Sequence, residues 1–323
     1  MTTYGAVQII GDARRRLLVI FNPTAGRRRR RTLAAALRLL DGRADIIRQH
    51  TRARGDAEAF AGLVPEGAIA LVAGGDGTAN EVANGLLAAG GGDMAILPLG
   101  TANVLAAELG IVDMASAAEA AATGSRFAYR PGLANGRGFL MMAGVGFDAH
   151  VVAGVSRQLK RLMGKGAYVA ESLCQLWSFP FPRYRVTVDG VTHDAASVIV
   201  ARGHFYGGRF VVAPEARLES EMFQVCLFRR GGRLRTIVYA LALAMGRIHR
   251  LADVEILPAR KVAIEGPLGD PVQGDGDLIG RLPVEIALSP IAIGLLRPAE
   301  LPAQTYPRLA SARNLAEPVP DQT

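Results

Sequence analysis

The stretch Leu71 to Leu87, LVAGGDGTANEVANGLL, sets three glycines and an aspartate between a run of apolar residues and a helical pattern. Glycine supplies positive φ without a steric cost, so the stretch reads as a turn. It reads equally as a backbone cradle for phosphate, because the N–H groups opening a helix, and the helix's positive end, both face a ligand there. The carboxylate of Asp76 would repel bare phosphate. It makes sense beside a phosphate-bound cation, as in magnesium–nucleotide sites.

Working outward, short apolar runs alternate with helical periods from Arg14 to about Tyr129. LLVIF (17–21) predicts a buried strand, ended by NPTAG, and Leu33, Ala36, Leu37 and Leu40 then recur at helical spacing. DIIRQHT, AIALVA (68–73) and MAILP (94–98) predict three more strands. Ala79, Val82, Ala83 and Leu86 mark the helix after the third, and Ala102, Leu105, Ala106 and Leu109 the helix after the fourth. This alternation predicts an α/β domain at 14–129 with a parallel sheet covered on both faces. Ligands bind outside the carboxyl ends of such strands, where the loops 22–26, 74–78 and 98–101 all lie.

Beyond Arg130 the texture changes. GFLMMAGV, YRVTVDG, ASVIVARG, RFVVAP, FQVCLFRR, KVAIEG and LPVEIAL are β-rich runs separated by Gly, Pro and Asp. They predict a mostly antiparallel β-sandwich over 130–298, interrupted by helices around 153–178 and 236–246. The last strand is able to return to the first domain, and 301–323 reads as a loose tail.

Composition bounds the partner. Among 323 residues, 37 Lys and Arg face 29 Asp and Glu, a net +8 that suits a phosphate-bearing ligand or an anionic membrane surface. No basic segment is interleaved with stacking aromatics, so nucleic acid is not expected. Cys174 and Cys226 sit in apolar neighbourhoods and read as buried thiols of a reducing compartment. The five histidines show no metal-ligand spacing. The N-terminus lacks the order of a signal peptide, and the apolar run from Ile237 is about half a bilayer span. A soluble protein with peripheral membrane contact at most is expected.

Other motifs carry chemistry. NPTAGRRRR supplies an amide, a hydroxyl, a glycine and cations, although the arginines also suit a solvated helix face. PLGTANVLAAELG supplies a threonine hydroxyl and Asn103, which also suits helix capping. Gly164-Lys165 is not a Walker A motif. GVGFDA (144–149) mimics a dinucleotide fingerprint but lacks a well-placed acid downstream, and reads as a turn opening the second domain. Asp275-Gly276-Asp277 places two carboxylates on a flexible turn, where a hydroxyl attacking phosphate needs a proton acceptor. The same residues also form an ordinary hairpin turn readily. Lys160, Arg161, Lys165, Trp177, Phe179 and Phe181 put cations and aromatics on one insertion, suited to shallow lipid docking or simply to packing on the sandwich.

NPTAG, GGDGTANEVANGL, PLGTANVLAAELG, MAGVGFDA, FYGGRFVVAPEA and QGDGD, in this order over residues 14 to 298, resemble the diacylglycerol kinase catalytic-domain family. This group includes bacterial lipid kinases, sphingosine kinases and ceramide kinases. GGDGT alone is shared with NAD kinases; PLGTAN, the mid-chain YGG…AP and QGDGD favour lipid kinases. The resemblance implies an NAD kinase/diacylglycerol kinase-like fold and an ATP-dependent kinase acting on a diacylglycerol-like or sphingoid-like lipid alcohol, within phospholipid metabolism.

By the same likeness, ATP contacts fall on Asn22, Pro23, Thr24, Ala25, Gly26, Thr51, Gly74, Gly75, Asp76, Gly77, Thr78, Ala79, Asn80 and Thr101. Asp275 and Asp277 match the catalytic carboxylates. Asp76 joins them, meeting Mg²⁺ through the nucleotide. A cytoplasmic enzyme, peripheral at the inner membrane face, is implied, with a homodimer left open. The alternatives are an NAD kinase-like phosphotransferase on a soluble substrate and a catalytically weakened lipid- or nucleotide-binding regulator. Val104, Arg130 and Ser220 stand where the family often has Asp, and Asp277 where it has Glu. These departures bear on auxiliary carboxylates and a structural magnesium; Asp76, Asp275 and Asp277 remain. A phosphotransfer site would require QGDGD to face GGDGT across the interdomain cleft.

Overall fold

A computed structural model describes residues 14–21, 26–155 and 165–300, without the side chains of 26–29, 165 and 167. The expectations for Asn22, Pro23, Thr24 and Ala25, for Lys160, Arg161 and the Lys165 side chain, and for the 301–323 tail lie outside the described residues.

The first sheet holds β1 (Arg15–Phe21), β2 (Ala44–His50), β3 (Ala68–Gly74), β4 (Asp93–Pro98), β5 (Ser125–Tyr129) and β20 (Ile293–Arg297), in the order β2-β1-β3-β4-β20-β5. Every pairing is parallel except β20 with β5. β3, AIALVAG, is buried at all seven positions. Its unbroken apolar run is what a strand covered on both faces requires. The covering helices are α1 (Gly26–Leu40), α2 (Asp56–Ala61), α3 (Asp76–Ala88), α4 (Val104–Glu108) and α5 (Met114–Thr123). α5 was not anticipated. Its alanine-rich segment buries five alanines, and Asp113 with Ser116 forms a capping box at its start.

Two further sheets form the sandwich. One runs β10 (Val191–Ala195), β9 (Tyr184–Val188), β16 (Lys261–Glu265), β19 (Val284–Leu288), β6 (Gly132–Ala134), β7 (Arg137–Phe139). The other runs β15 (Val254–Ala259), β14 (Phe223–Phe228), β11 (Ser197–Ala201), β8 (Met142–Val145), β17 (Pro271–Gly274), β18 (Asp277–Arg281). All their pairings are antiparallel. Phe139, Val186, Val200, Val225, Ile264 and Ile286 fill the core between them. A short β12 (Phe205–Tyr206) and β13 (Phe210–Val211) pair separately. Outside the sandwich lie α6 (Phe147–Gly154), α7 (Lys165–Ser178) and α8 (Arg233–Ala244). The chain thus leaves the first sheet after β5 and returns to it in β20, between β4 and β5.

Two expectations change. Cys174 lies on α7 and is exposed, whereas Cys226 is buried as expected. Phe179 is buried against Phe147, His150 and Phe181, so it supports packing and cannot face a lipid surface.

Candidate active site

The glycine loops at the ends of β3 and β4 touch backbone to backbone. A Cβ on Gly100 would stand 2.4 Å from the Gly75 Cα, and one on Gly75 2.9 Å from the Gly100 Cα. Leu99 N donates to Gly74 O at 2.9 Å. Asn103, in the left-handed region, folds its amide back on the loop: Oδ1 accepts from Gly100 N at 2.8 Å and Nδ2 donates to Gly100 O at 3.1 Å. Asn103 is therefore the residue before α4 but does not cap it with its side chain. Asp76 does so from the neighbouring loop, its Oδ1 accepting from Leu105 N at 3.4 Å. α3 itself starts at Asp76 with no side-chain cap from Gly75. The N–H groups of its first turn are those a helix leaves without an internal partner.

The opposite wall is the β17–β18 hairpin. Gly274 pairs with Asp277, and the two central residues, Asp275 and Gly276, both have positive φ (53° and 81°). That is the conformation of a type I′ Asp-Gly turn. The hairpin reading of this segment thus describes its backbone, and the turn faces α3. The Asp275 carboxylate accepts from four N–H groups: Asn80 Nδ2 (2.9 Å) and Leu140 N (2.6 Å) on Oδ2, Met141 N (2.8 Å) and Met142 N (3.1 Å) on Oδ1. Asp277 is 38% exposed and pairs with Arg54 at 3.6 Å. A Cβ added to Gly77 would lie 3.4 Å from its Oδ2.

α3 carries the joint between the domains. Asn80 Nδ2 also donates to Gly138 O at 3.0 Å, while Asn84 Nδ2 donates to Asn80 Oδ1 and to Gly138 O. Gly138 N returns a bond to Asn84 Oδ1 at 2.9 Å. The i, i+4 spacing places both asparagines on one face of α3, over β7. Arg137 extends the seam with two bonds to Glu58 of α2, at 2.8 and 2.7 Å.

Burial governs the electrostatics. It pushes Asp76 above the ordinary carboxylate range, and the nearby Asp275 charge adds to the shift, against the pull of the α4 N–H groups. Burial likewise raises Asp275 against its four donors, and raises Glu81. Two carboxylates that disfavour each other's charge in one cleft are what a cation would relieve. Among the described residues no three acidic, His or Cys side chains cluster as a metal centre. Asp76, which spends one oxygen on Leu105 N, would suit a cation that keeps water and phosphate ligands, as magnesium does.

The other expected positions divide. Gly75, Asp76, Gly77 and Thr78 open toward the cleft at the start of α3, Thr101 is exposed in the adjoining loop, and Gly26 opens α1. Thr51 is 4% exposed and donates to Phe21 O, Gly74 and Ala79 are buried, and the Asn80 side chain is fully committed to the domain joint. These four shape the loops from behind. Arg54 and Tyr168 were not singled out for this site from the sequence and carry no local signature; only folding brings them to the turn. Arg130 and Glu221 meet as an ion pair at 3.7 Å, and Arg130 Nη1 donates to the Ser289 (3.2 Å) and Pro290 carbonyls. A guanidinium placed there does not fit a structural magnesium.

An open parallel sheet that lends its cleft to a following β-sandwich defines a two-domain class of protein, with an acidic turn from the second domain set against a glycine loop of the first. The diacylglycerol kinase catalytic domain model matches residues 16–130, and the YegS C-terminal NAD kinase beta sandwich-like domain matches residues 141–297. The chain thus carries a diacylglycerol kinase catalytic domain followed by a YegS-type C-terminal domain. It is 28% identical over 282 residues to the diacylglycerol kinase of Bacillus subtilis, covering 84% of this chain and 92% of that one. It is 29% identical over 301 residues to a Pseudomonas aeruginosa protein named "Probable lipid kinase YegS-like", covering 90% and 97%. A crystal structure of a diacylglycerol kinase from Bacillus anthracis shares the fold, with a TM-score of 0.64 at 20% identity over 88% of this chain and 96% of that one.

Proposed function

We propose that this protein is an ATP-dependent lipid kinase that phosphorylates the hydroxyl of a diacylglycerol-like or sphingoid-like lipid. The observation that carries the reading is the convergence of Asp76, Asp275 and Asp277 on the uncapped start of α3. Phosphates would lie along the first-turn N–H groups of α3 and the Gly74–Thr78 loop. Magnesium arriving with the nucleotide would sit against Asp76 and neutralise phosphate charge. The four donors on Asp275 leave its oxygens little capacity for a proton, since a carboxylate offers about four lone-pair sites. Asp275 therefore holds the turn, and Asp277, more open and over Gly77, is the acceptor for the lipid hydroxyl's proton. Alignment and charge neutralisation supply most of the catalysis in such transfers.

The membrane reading rests on α7 and α8. Val169, Leu173 and Trp177 on α7, and Leu234, Ile237 and Leu241 on α8 with Met245 just beyond its end, are exposed at helical spacing. Arg233 joins the two, donating to Trp177 O at 2.9 Å with its guanidinium 4.8 Å over the indole. α8 carries no carboxylate, and arginines stand at both its ends (Arg230, Arg233, Arg247). An anionic lipid surface fits this mixture of interfacial Trp, apolar face and cations. Tyr168 of α7 also donates to Gly276 O at 3.2 Å, which sets that surface beside the acidic turn. Among the described residues no helix is long and apolar enough to cross a membrane.

The test is transfer of label from γ-labelled ATP to a panel of lipid alcohols in mixed micelles, run beside soluble alcohols including NAD. Labelled lipid is expected. Label on the soluble acceptors alone would replace the lipid reading with an NAD kinase-like one, and ATP binding without turnover would leave a regulator.

A further inference from the structure

The GVGFDA and FYGG motifs lie outside the roles assigned above, yet their polar side chains meet behind the acidic turn. Asp148, half-buried at the start of α6, accepts from the Tyr206 hydroxyl on one oxygen and from Gln273 Nε2 on the other, at 2.7 Å. Gln273 ends this chain by accepting, through Oε1, the N–H of Gly276 at 3.0 Å. Gly276 is the central turn residue between Asp275 and Asp277. Its carbonyl is held from the other side by Tyr168. The backbone has been cleared for the pair: a Cβ on Gly144, which lies opposite Gln273 in the sheet, would stand 2.5 Å from Asp148 Oδ2 and 2.7 Å from Gln273 Nε2.

We infer that Asp148 and Gln273 are positioning residues for the acidic turn: the Asp148 carboxylate decides which way round the Gln273 amide stands, and the amide oxygen then fixes Gly276. The logic is one of donors and acceptors. An ionised carboxylate has no hydrogen to give, so Gln273 can only turn its NH₂ toward Asp148. Its oxygen is thereby aimed at the Gly276 N–H. Asp-Gly already favours the type I′ backbone, so what the relay adds is a fixed orientation of the turn relative to the sheet. The inference rests on the kinase reading for its consequence, since what the turn carries is Asp277. The geometry of the relay does not depend on that reading.

The test uses the full chain and two readouts. Gln273→Glu sets two carboxylates face to face and removes the donor. It is expected to lower kcat about 10- to 100-fold, as small misplacements of reacting groups do, while the KM for ATP stays within about twofold. Hydrogen exchange of the 273–278 amides should speed up by more than the loss of global stability accounts for. Asp148→Asn alone should be mild, because its amide can turn its oxygen to Gln273 and its NH₂ to the Tyr206 oxygen. The double variant, Asp148→Asn with Gln273→Glu, restores a donor opposite the new carboxylate. It is expected to recover both kcat and exchange protection of the turn.

Loss without recovery in the double variant would overturn the inference, as would a Gln273→Glu protein with unchanged exchange at the turn. Should Gln273→Glu fail to fold alone, a folded double variant with wild-type protection still supports the relay, and an unfolded one overturns it. Exchange is read whether or not any lipid is phosphorylated, so failure of the kinase reading is distinguishable from failure of the relay.

Discussion

Asn80 donates its side-chain amide to the Asp275 carboxylate at 2.9 Å, although 195 residues separate the two. The same nitrogen bonds Gly138 O, so one side chain of α3 ties the glycine loop, the sandwich and the acidic turn together. Asn80→Ala would leave the half-buried Asp275 charge one donor short and the Gly138 carbonyl without one of its two amide partners. Losing a hydrogen bond to a charged group costs about 1.5–3 kcal/mol. Denaturant unfolding should show a loss of that order, together with reduced turnover. Full activity in Asn80→Ala would mean that the joint is not needed for the site.

The two carboxylates of the turn should separate in their effects. Asp277→Asn is expected to lower kcat by about 10²- to 10⁴-fold, the range of a lost general base, with stability and ATP affinity close to wild type. Asp275→Ala should cost activity and stability together, because four N–H groups lose their acceptor. Paired kinetic and unfolding measurements decide. A destabilised Asp277→Asn or a stable Asp275→Ala would reverse the roles.

Asp76 is half-buried and serves α4, so its substitutions differ in kind. Asp76→Asn keeps an oxygen for the Leu105 N–H but removes the charge that would meet a cation. Asp76→Ala removes both. Turnover should fall severely in each, whereas only Asp76→Ala should lose about 1 kcal/mol of stability, the usual worth of a helix cap. Equal stability of the two variants would show that the 3.4 Å contact contributes nothing.

Gly100→Ala tests the close approach of the two loops. The added methyl would meet the Gly75 backbone at 2.4 Å, where no side chain can swing aside. Overpacking of this kind costs about 1–3 kcal/mol. A weaker affinity for ATP should accompany it, read by calorimetry with Mg-ATP. Unchanged binding would place the nucleotide away from this loop pair.

Stability and nucleotide binding should respond to pH in opposite directions. Asp76 and Asp275 are both raised in the folded state, chiefly by burial. A raised acid contributes stability that is complete below its unfolded pKa, about 3.9, and lost as pH rises through the folded value. Mg-ATP binding needs the Asp76 charge and should strengthen over that same rise. Unfolding and ATP titration at a series of mildly acidic pH values check both. Asp76→Asn should flatten part of the stability slope.

Vesicle co-sedimentation examines α7 and α8. Leu241→Glu and Trp177→Ala should weaken binding to anionic vesicles. High salt should weaken it further, since each basic group near the surface is worth about 1 kcal/mol. Phe179→Ala should act instead on stability, because that ring is buried. Binding insensitive to lipid charge and to Leu241→Glu would dismiss the surface.

Much of this protein is legible in its sequence because the signals are local. The unbroken apolar runs at 17–21, 68–73 and 94–98 could only be covered strands, and helical periods between them made the sheet parallel. Glycine-rich joins marked the ends of the strands, and the ordered motifs from NPTAG to QGDGD carried the resemblance to the family. Short strands such as β6, β7 and β18 were not legible, since three to five residues with mixed burial leave no periodicity to read. Partnership was the other thing left to tertiary structure. That Asp76 caps α4, that Asn80 serves Asp275 and Gly138, and that Phe179 is buried while one face of α8 is exposed all depend on which surfaces meet. Hydrogen bonds reach about 3 Å in space and have no fixed reach along a chain, so only the packing of α3 against the β17–β18 hairpin could decide them.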